Sequence, residues 1–137
     1  MRVSFIFCIL LTLPSMMMAQ QAAATLEDVL QQSIQAFIKA DYAKATALFE
    51  QLDYTFGREP EYKKDEFQHV LLPAWGYAAY RNKQLSVAIE KLKTFLEQFP
   101  DVVQGRLFSM YTLAKAYRDY EDFEKAIEAF RAFRMKY

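Results

Sequence analysis

Residues that carry chemistry are scarce in this chain of 137. It has one cysteine, Cys8, and one histidine, His69. Cys8 falls inside an apolar run, Phe5 to Leu13, near the N-terminus. Once that run is removed, no thiol is left for a disulfide, a cysteine nucleophile or a zinc site. Cys8 also comes too early for a lipid-attachment cysteine, which follows the apolar run at the cleavage point. His69 has Asp65 four residues before it, a ligand spacing on a helix, but two candidates are too few for a metal site. A polar residue at the rim of the core accounts for this histidine equally well. Glycine-rich phosphate loops, serine-nucleophile motifs and His-Glu-x-x-His are all missing. The expectation is a chain that is not an enzyme, with no catalytic residues, metal, cofactor or small-molecule substrate.

Charge of one sign is also lacking. Lys plus Arg and Asp plus Glu both number 17, and Arg2 is the only charged residue before Glu27. A phosphate-binding surface carries a basic excess, so nucleic acid is not an expected partner. The carboxylate pairs Glu27/Asp28 and Glu121/Asp122 fall at helix starts, where capping and the helix dipole explain them. The mixed run from Arg58 to Glu66 reads as a solvated loop and helix start. Glycine and proline are few, 3 and 4, which favours long helices joined by short turns. What the chain does have is apolar residues, 53% against 25% charged, enough to pack one domain.

The first residues have the layout of a secretory signal peptide. Met1-Arg2-Val3-Ser4 is a short positive start, an apolar run follows, and Pro14-Ser15 breaks it. Residues 1–19 are expected to be cleaved, with Ala22-Ala23-Ala24 allowing a site as late as 24. The rival reading is a retained membrane anchor. Val3 to Met18 is only marginally long for that, since spans need roughly 17–25 residues.

Three segments downstream align without internal gaps: Asp41 to Phe49, Gln84 to Leu92 and Asp122 to Phe130. In each, a large apolar residue is followed three later by an alanine (Ala45, Ala88, Ala126) and four after that by another large apolar residue. A further one follows at Leu52, Phe95 and Phe133. This spacing draws one continuous stripe along a helix. A second helical pattern precedes each segment, with a small residue, Ser33, Gly76 or Ala114, where two helices would cross most closely. Thr25-Leu26-Glu27-Asp28 reads as a capping box, and Asp101 to Gln104 is expected to do the same after Pro100. Asp41 and Asp122 are placed to cap the second helices. Pro73 should kink the first helix of the middle unit, or start a fresh helix after a short one from about Lys63. Gly57-Arg58-Glu59-Pro60 is the clearest loop.

The pattern resembles the tetratricopeptide repeat, most clearly in Trp75-Gly76 through Ala88 to Pro100, and again from Leu107 through Ala114, Tyr117 and Ala126. The spacings Ala45 to Ala88 and Ala88 to Ala126, 43 and 38 residues, exceed the standard unit of about 34. The first unit is the weakest match, with Gln32 where a large apolar residue is usual. Longer units of this kind look like those of exported bacterial envelope proteins. The resemblance implies an all-α fold: a right-handed stack of antiparallel hairpins over about 25–56, 63–100 and 101–137. It implies a periplasmic or envelope protein that binds a peptide or partner protein in a groove lined by the first helix of each unit. Carried over by position, that groove would hold Glu27, Leu30, Ile34 and Phe37, then Tyr77, Tyr80 and Arg81, then Tyr111, Lys115 and Arg118. Aromatic rings beside Arg and Lys suit a segment with apolar side chains and some negative charge.

The last helix stops at Tyr137 without a capping helix to cover Ile127, Phe130 and Phe133. The expectation is self-association through that face, or continuation of the repeats in a longer protein. In the second case the chain would be the recruiting module of a larger envelope protein or of an enzyme whose catalytic part lies downstream.

Overall fold

Six helices and no strands make up the regular structure of residues 23–137, the part that the computed structural model describes. They are α1 (Leu26–Ile38), α2 (Tyr42–Phe56), α3 (Asp65–Arg81), α4 (Leu85–Gln98), α5 (Arg106–Asp119) and α6 (Phe123–Lys136). Each helix packs on its neighbours in the chain, and α3 also packs on α5. The expected all-α class is observed. The expected signal peptide, 1–19, lies outside the described residues. No helix among the described residues is long and apolar enough to cross a membrane.

Side chains start three of the helices as expected. Thr25 N–H donates to Asp28 Oδ2 (2.9 Å) while Asp28 N–H donates to Thr25 Oγ1 (3.2 Å), a reciprocal capping box. Asp41 Oδ1 accepts from Lys44 N–H (3.2 Å), and Asp122 Oδ1 from Lys125 N–H (3.3 Å). Each cap satisfies an amide that the helix itself leaves without a partner.

One turn recurs at all three helix-pair junctions. Ala40, Lys83 and Glu121 have φ of 58°, 63° and 65°, the left-handed region, one residue before Asp41, Gln84 and Asp122. The N–H of Asp41 donates to Ala36 C=O (2.9 Å), that of Gln84 to Ala79 C=O (2.9 Å), and that of Asp122 to Tyr117 C=O (3.0 Å). This long-range bond across a left-handed residue closes a helix C-terminus and reverses the chain. Glycine usually fills the left-handed position, yet here it is never glycine.

Between the paired helices the small residues are buried. Ala45 and Ala88 have no exposed surface and Ala126 has 4%, with Ser33, Gly76 and Ala114 buried too. A Cβ placed on Gly76 would come within 2.5 Å of Leu92 Cγ, so α3 and α4 approach as closely as glycine permits. Phe49, Leu52, Leu71, Leu92 and Phe95 fill the centre. Phe49 stacks on Trp75 with ring centroids 6.2 Å apart, fastening α2 to α3.

One local expectation is corrected and two are sharpened. Asp101 caps nothing: it lies in a turn, and α5 begins only after Gly105, which has φ of 78° and supplies no side-chain cap. Arg106 secures that junction instead, its guanidinium reaching Leu96 C=O and Phe99 C=O at 3.4 Å. Pro73 starts no fresh helix; α3 runs through it. Buried Leu71, Leu72 and Trp75 on either side hold the helix on the core where the proline removes a backbone bond. The run Arg58 to Glu66 is exposed except for Tyr62, which is buried. Its hydroxyl donates to Asp53 Oδ1 (2.8 Å) and its carbonyl accepts from Gln68 Nε2 (2.6 Å), so the connection from α2 to α3 is pinned to both helices. Burial and the Asp53 carboxylate together raise the Tyr62 phenol above its ordinary value.

Candidate functional site

An apolar cleft of about 520 Å³ opens between the C-terminal turn of α1, one face of α3 and the start of α5. Helix α3 supplies His69, Val70, Pro73, Ala74 and Tyr77, residues spaced so that they share one side of the helix. Phe37 closes one wall; Val102, Gln104, Gly105 and Phe108 close the other. The left-handed Gly105 brings the chain close to Pro73, where a Cβ would sit 3.9 Å from Pro73 Cβ. None of the lining residues is an aspartate, glutamate, lysine or arginine. His69 stands edge-on to Phe99, centroids 6.3 Å apart. Val70 and Phe108 are 51% and 43% exposed, so apolar surface is left facing solvent at the mouth.

Pro73 also changes the backbone there. A proline has no N–H, so the carbonyl of His69, one turn earlier, lacks its usual helical donor.

Tyr77 sits at the junction of the walls. Its ring lies 5.8 Å from Phe37, 5.7 Å from Tyr42 and 4.6 Å from Phe108. Arg81 continues the α3 stripe by one turn: its guanidinium donates to Tyr77 Oη (2.8 Å) and lies 4.9 Å from the Tyr42 ring centre. Arg81 has no carboxylate partner among the described residues. Its hydrogen bond to Tyr77 raises its pKa further, so it stays charged. Burial raises the Tyr42 phenol beside it. An exposed cation held over aromatic faces adjoins the apolar cleft.

The ten expected groove residues are not all brought together. Phe37 and Tyr77 line the cleft, and Arg81 adjoins it through its bond to Tyr77. Leu30 and Ile34 are half-buried on earlier turns of α1 and do not line it, and Glu27 is exposed. Tyr80 is a correction. Its ring is 9% exposed and its hydroxyl donates to Asp119 Oδ2 (2.9 Å), so it ties α3 to α5 and is closed to a partner. Burial and the Asp119 carboxylate raise the Tyr80 phenol. Asp119 is itself pushed up by burial, but the bonds from Tyr80 and Arg118 outweigh this and hold it below its ordinary value. Tyr111, Lys115 and Arg118 form a second patch on α5. Lys115 Nζ lies 5.1 Å from the Tyr80 ring centre and 5.2 Å from that of Tyr111, and Arg118 pairs with Asp119 at 2.9 Å.

Of the expected open face on α6, Ile127 is 51% exposed, while Phe130 and Phe133 are half-covered by Tyr111, 6.2 and 5.6 Å away. The sequence reading missed Val70, Pro73, Ala74, Val102, Gly105 and Phe108 as cleft residues. A signal was present: residues 69, 70, 73, 74 and 77 keep helical spacing on a side distinct from the buried Leu72, Gly76 and Ala79. No family model, curated protein or solved structure matches the chain.

Proposed function

We propose that the protein is a non-enzymatic interaction scaffold, a right-handed stack of three tetratricopeptide-like hairpins, exported to the periplasm or cell envelope. Its task is to hold an apolar segment of a partner protein in the cleft between α1, α3 and α5. The repeat in the sequence, the three identical turns and the buried Ala45, Ala88 and Ala126 support the stacked architecture. The leader pattern of residues 1–19 supports export.

One observation carries the functional reading: apolar side chains at the cleft mouth, Val70 and Phe108, stay open to solvent in a cleft adjoined by Arg81, a cation without an ion-pair partner among the described residues. Apolar surface left in a concavity marks a binding site. The mechanism is complementarity on a preformed surface, with no bond made or broken. Apolar side chains of the partner enter between Phe37, Pro73 and Phe108. A carboxylate near that segment pairs with Arg81, and a partner N–H meets the His69 carbonyl.

Photo-crosslinking residues placed at Val70 and Phe108 should trap a partner in producing cells, whereas one at Tyr54, 94% exposed on α2, should not. Val70→Glu should abolish the Phe108 adduct with no loss of stability beyond about 0.5 kcal/mol, since the site is on the surface. Equal adducts from all three positions, or none from the cleft, would reject this function.

A further inference from the structure

The second helix of each pair carries the same apolar stripe, and the chain itself shows what covers it. With Ala45, Ala88 and Ala126 taken as equivalent, the stripe reads Thr46, Phe49, Leu52 on α2, then Ile89, Leu92, Phe95 on α4, then Ile127, Phe130, Phe133 on α6. Phe49, Leu52, Leu92 and Phe95 are at most 1% exposed. Their cover is the first helix of the next pair: α3 on α2, and α5 on α4. On α6 no described helix lies there. Ile127 is 51% exposed, and the two phenylalanines are half-covered, by Tyr111 and, at Phe133, by Tyr137, 5.6 Å away.

The other end of the molecule is built differently. On α1 the positions equivalent to buried Leu71, Trp75 and Ala78 are Asp28, Gln32 and Gln35, all exposed. A head-to-tail row of copies would press those polar groups onto Ile127, so it is disfavoured. The isologous arrangement, α6 against α6, has no such conflict.

Charge selects the same arrangement. Glu124 and Glu128 lie in the first half of α6; Arg131 and Arg134 lie in the second. None of the four makes an ion pair among the described residues. Two antiparallel copies bring the acidic half of each beside the basic half of the other, and they oppose the helix dipoles favourably. Parallel copies would set like charge against like.

We propose that two copies of the protein associate through α6, antiparallel about a two-fold axis, burying Ile127 and flanking it with Glu124 of one copy beside Arg134 of the other. An interface one helix wide belongs to the weak class, with dissociation in the micromolar range. The proposal rests on α6 and is independent of the cleft, so Val70→Glu leaves association unchanged.

Sedimentation of the purified protein over a concentration series tests it, with circular dichroism to verify that each variant is folded. The mass should rise to that of two copies, and Ile127→Glu should hold it at one. Glu124→Arg or Arg134→Glu alone should weaken association on the order of tenfold, because each change strikes two symmetric contacts. The two together should restore it. A wild type that stays monomeric or exceeds two copies overturns the proposal. So does a dimer indifferent to Ile127→Glu, or a double reversal no tighter than the single ones.

Discussion

Adding one methyl group at Gly76 sets two familiar effects against each other. In an open helix, Gly→Ala stabilises by about 1 kcal/mol, because alanine loses less backbone entropy. At Gly76 the new Cβ would lie 2.5 Å from Leu92 Cγ, 2.7 Å from Leu92 Cδ2 and 3.3 Å from the Leu92 backbone nitrogen. Ordinary carbon contacts are about 3.5–4.0 Å, so the overlap exceeds one ångström. Leu92 is fully buried among core side chains, so α3 and α4 should separate to relieve the overlap. Overpacking of this kind costs about 1–3 kcal/mol, and with such an overlap the upper half applies. The net effect of Gly76→Ala should be a loss of about 1–2 kcal/mol. Urea unfolding monitored by circular dichroism measures it. Leu92→Ala alone should cost about 2–5 kcal/mol, and the double variant should cost less than the sum by about 2–3 kcal/mol, the clash having been removed. A stabilised Gly76→Ala, or additive costs, would refute the close crossing of α3 and α4.

Lys83 occupies the left-handed position of the middle turn, so Lys83→Gly should stabilise by about 0.5–1 kcal/mol in the same urea assay. A loss there would count against the turn geometry. Phe49→Ala should cost about 3–5 kcal/mol, since the ring is 1% exposed and stacked on Trp75; a loss below 1 kcal/mol would place it outside the core. Asp28, Asp119 and Asp122 all have lowered folded-state pKa values. A depressed carboxylate contributes stability above its unfolded value, about 3.9, and loses it as pH falls through the folded value. Acid unfolding should therefore set in below about pH 4, and Tyr80→Phe should make the decline with pH shallower by removing one bond that holds Asp119 down. An unchanged acid limb would remove Asp119 from that account.

Much of this architecture could be read in advance because it rests on periodicity and on side chains that act locally. The stripes through Ala45, Ala88 and Ala126, and the caps at Thr25, Asp41 and Asp122, are properties of short stretches of chain. The turns were harder to see. Ala40, Lys83 and Glu121 carry no glycine signal; the turns that hold them left-handed are closed by backbone bonds to Ala36, Ala79 and Tyr117. Gly105 pre-empts the cap expected of Asp101, because its backbone sets where α5 begins. Pro73 reads locally as a break, yet buried residues on both sides keep the helix intact. The cleft depends on how far apart three helices lie, which no single stretch encodes. Tyr80 and Tyr77 differ by three positions on one helix, and only the approach of α5 decides that one is buried and the other lines the cleft.

Alanine methyl contacts on the native chain, observed as through-space couplings in carbon-edited NMR spectra, test the central claim without altering a residue. The methyl of Ala45 should see protons of α1, that of Ala88 protons of α3, and that of Ala126 protons of α5, with none exchanging magnetisation with water. If any of the three sees only solvent or a helix outside its own pair, the three helix pairs are not equivalent and the scaffold they would form does not exist.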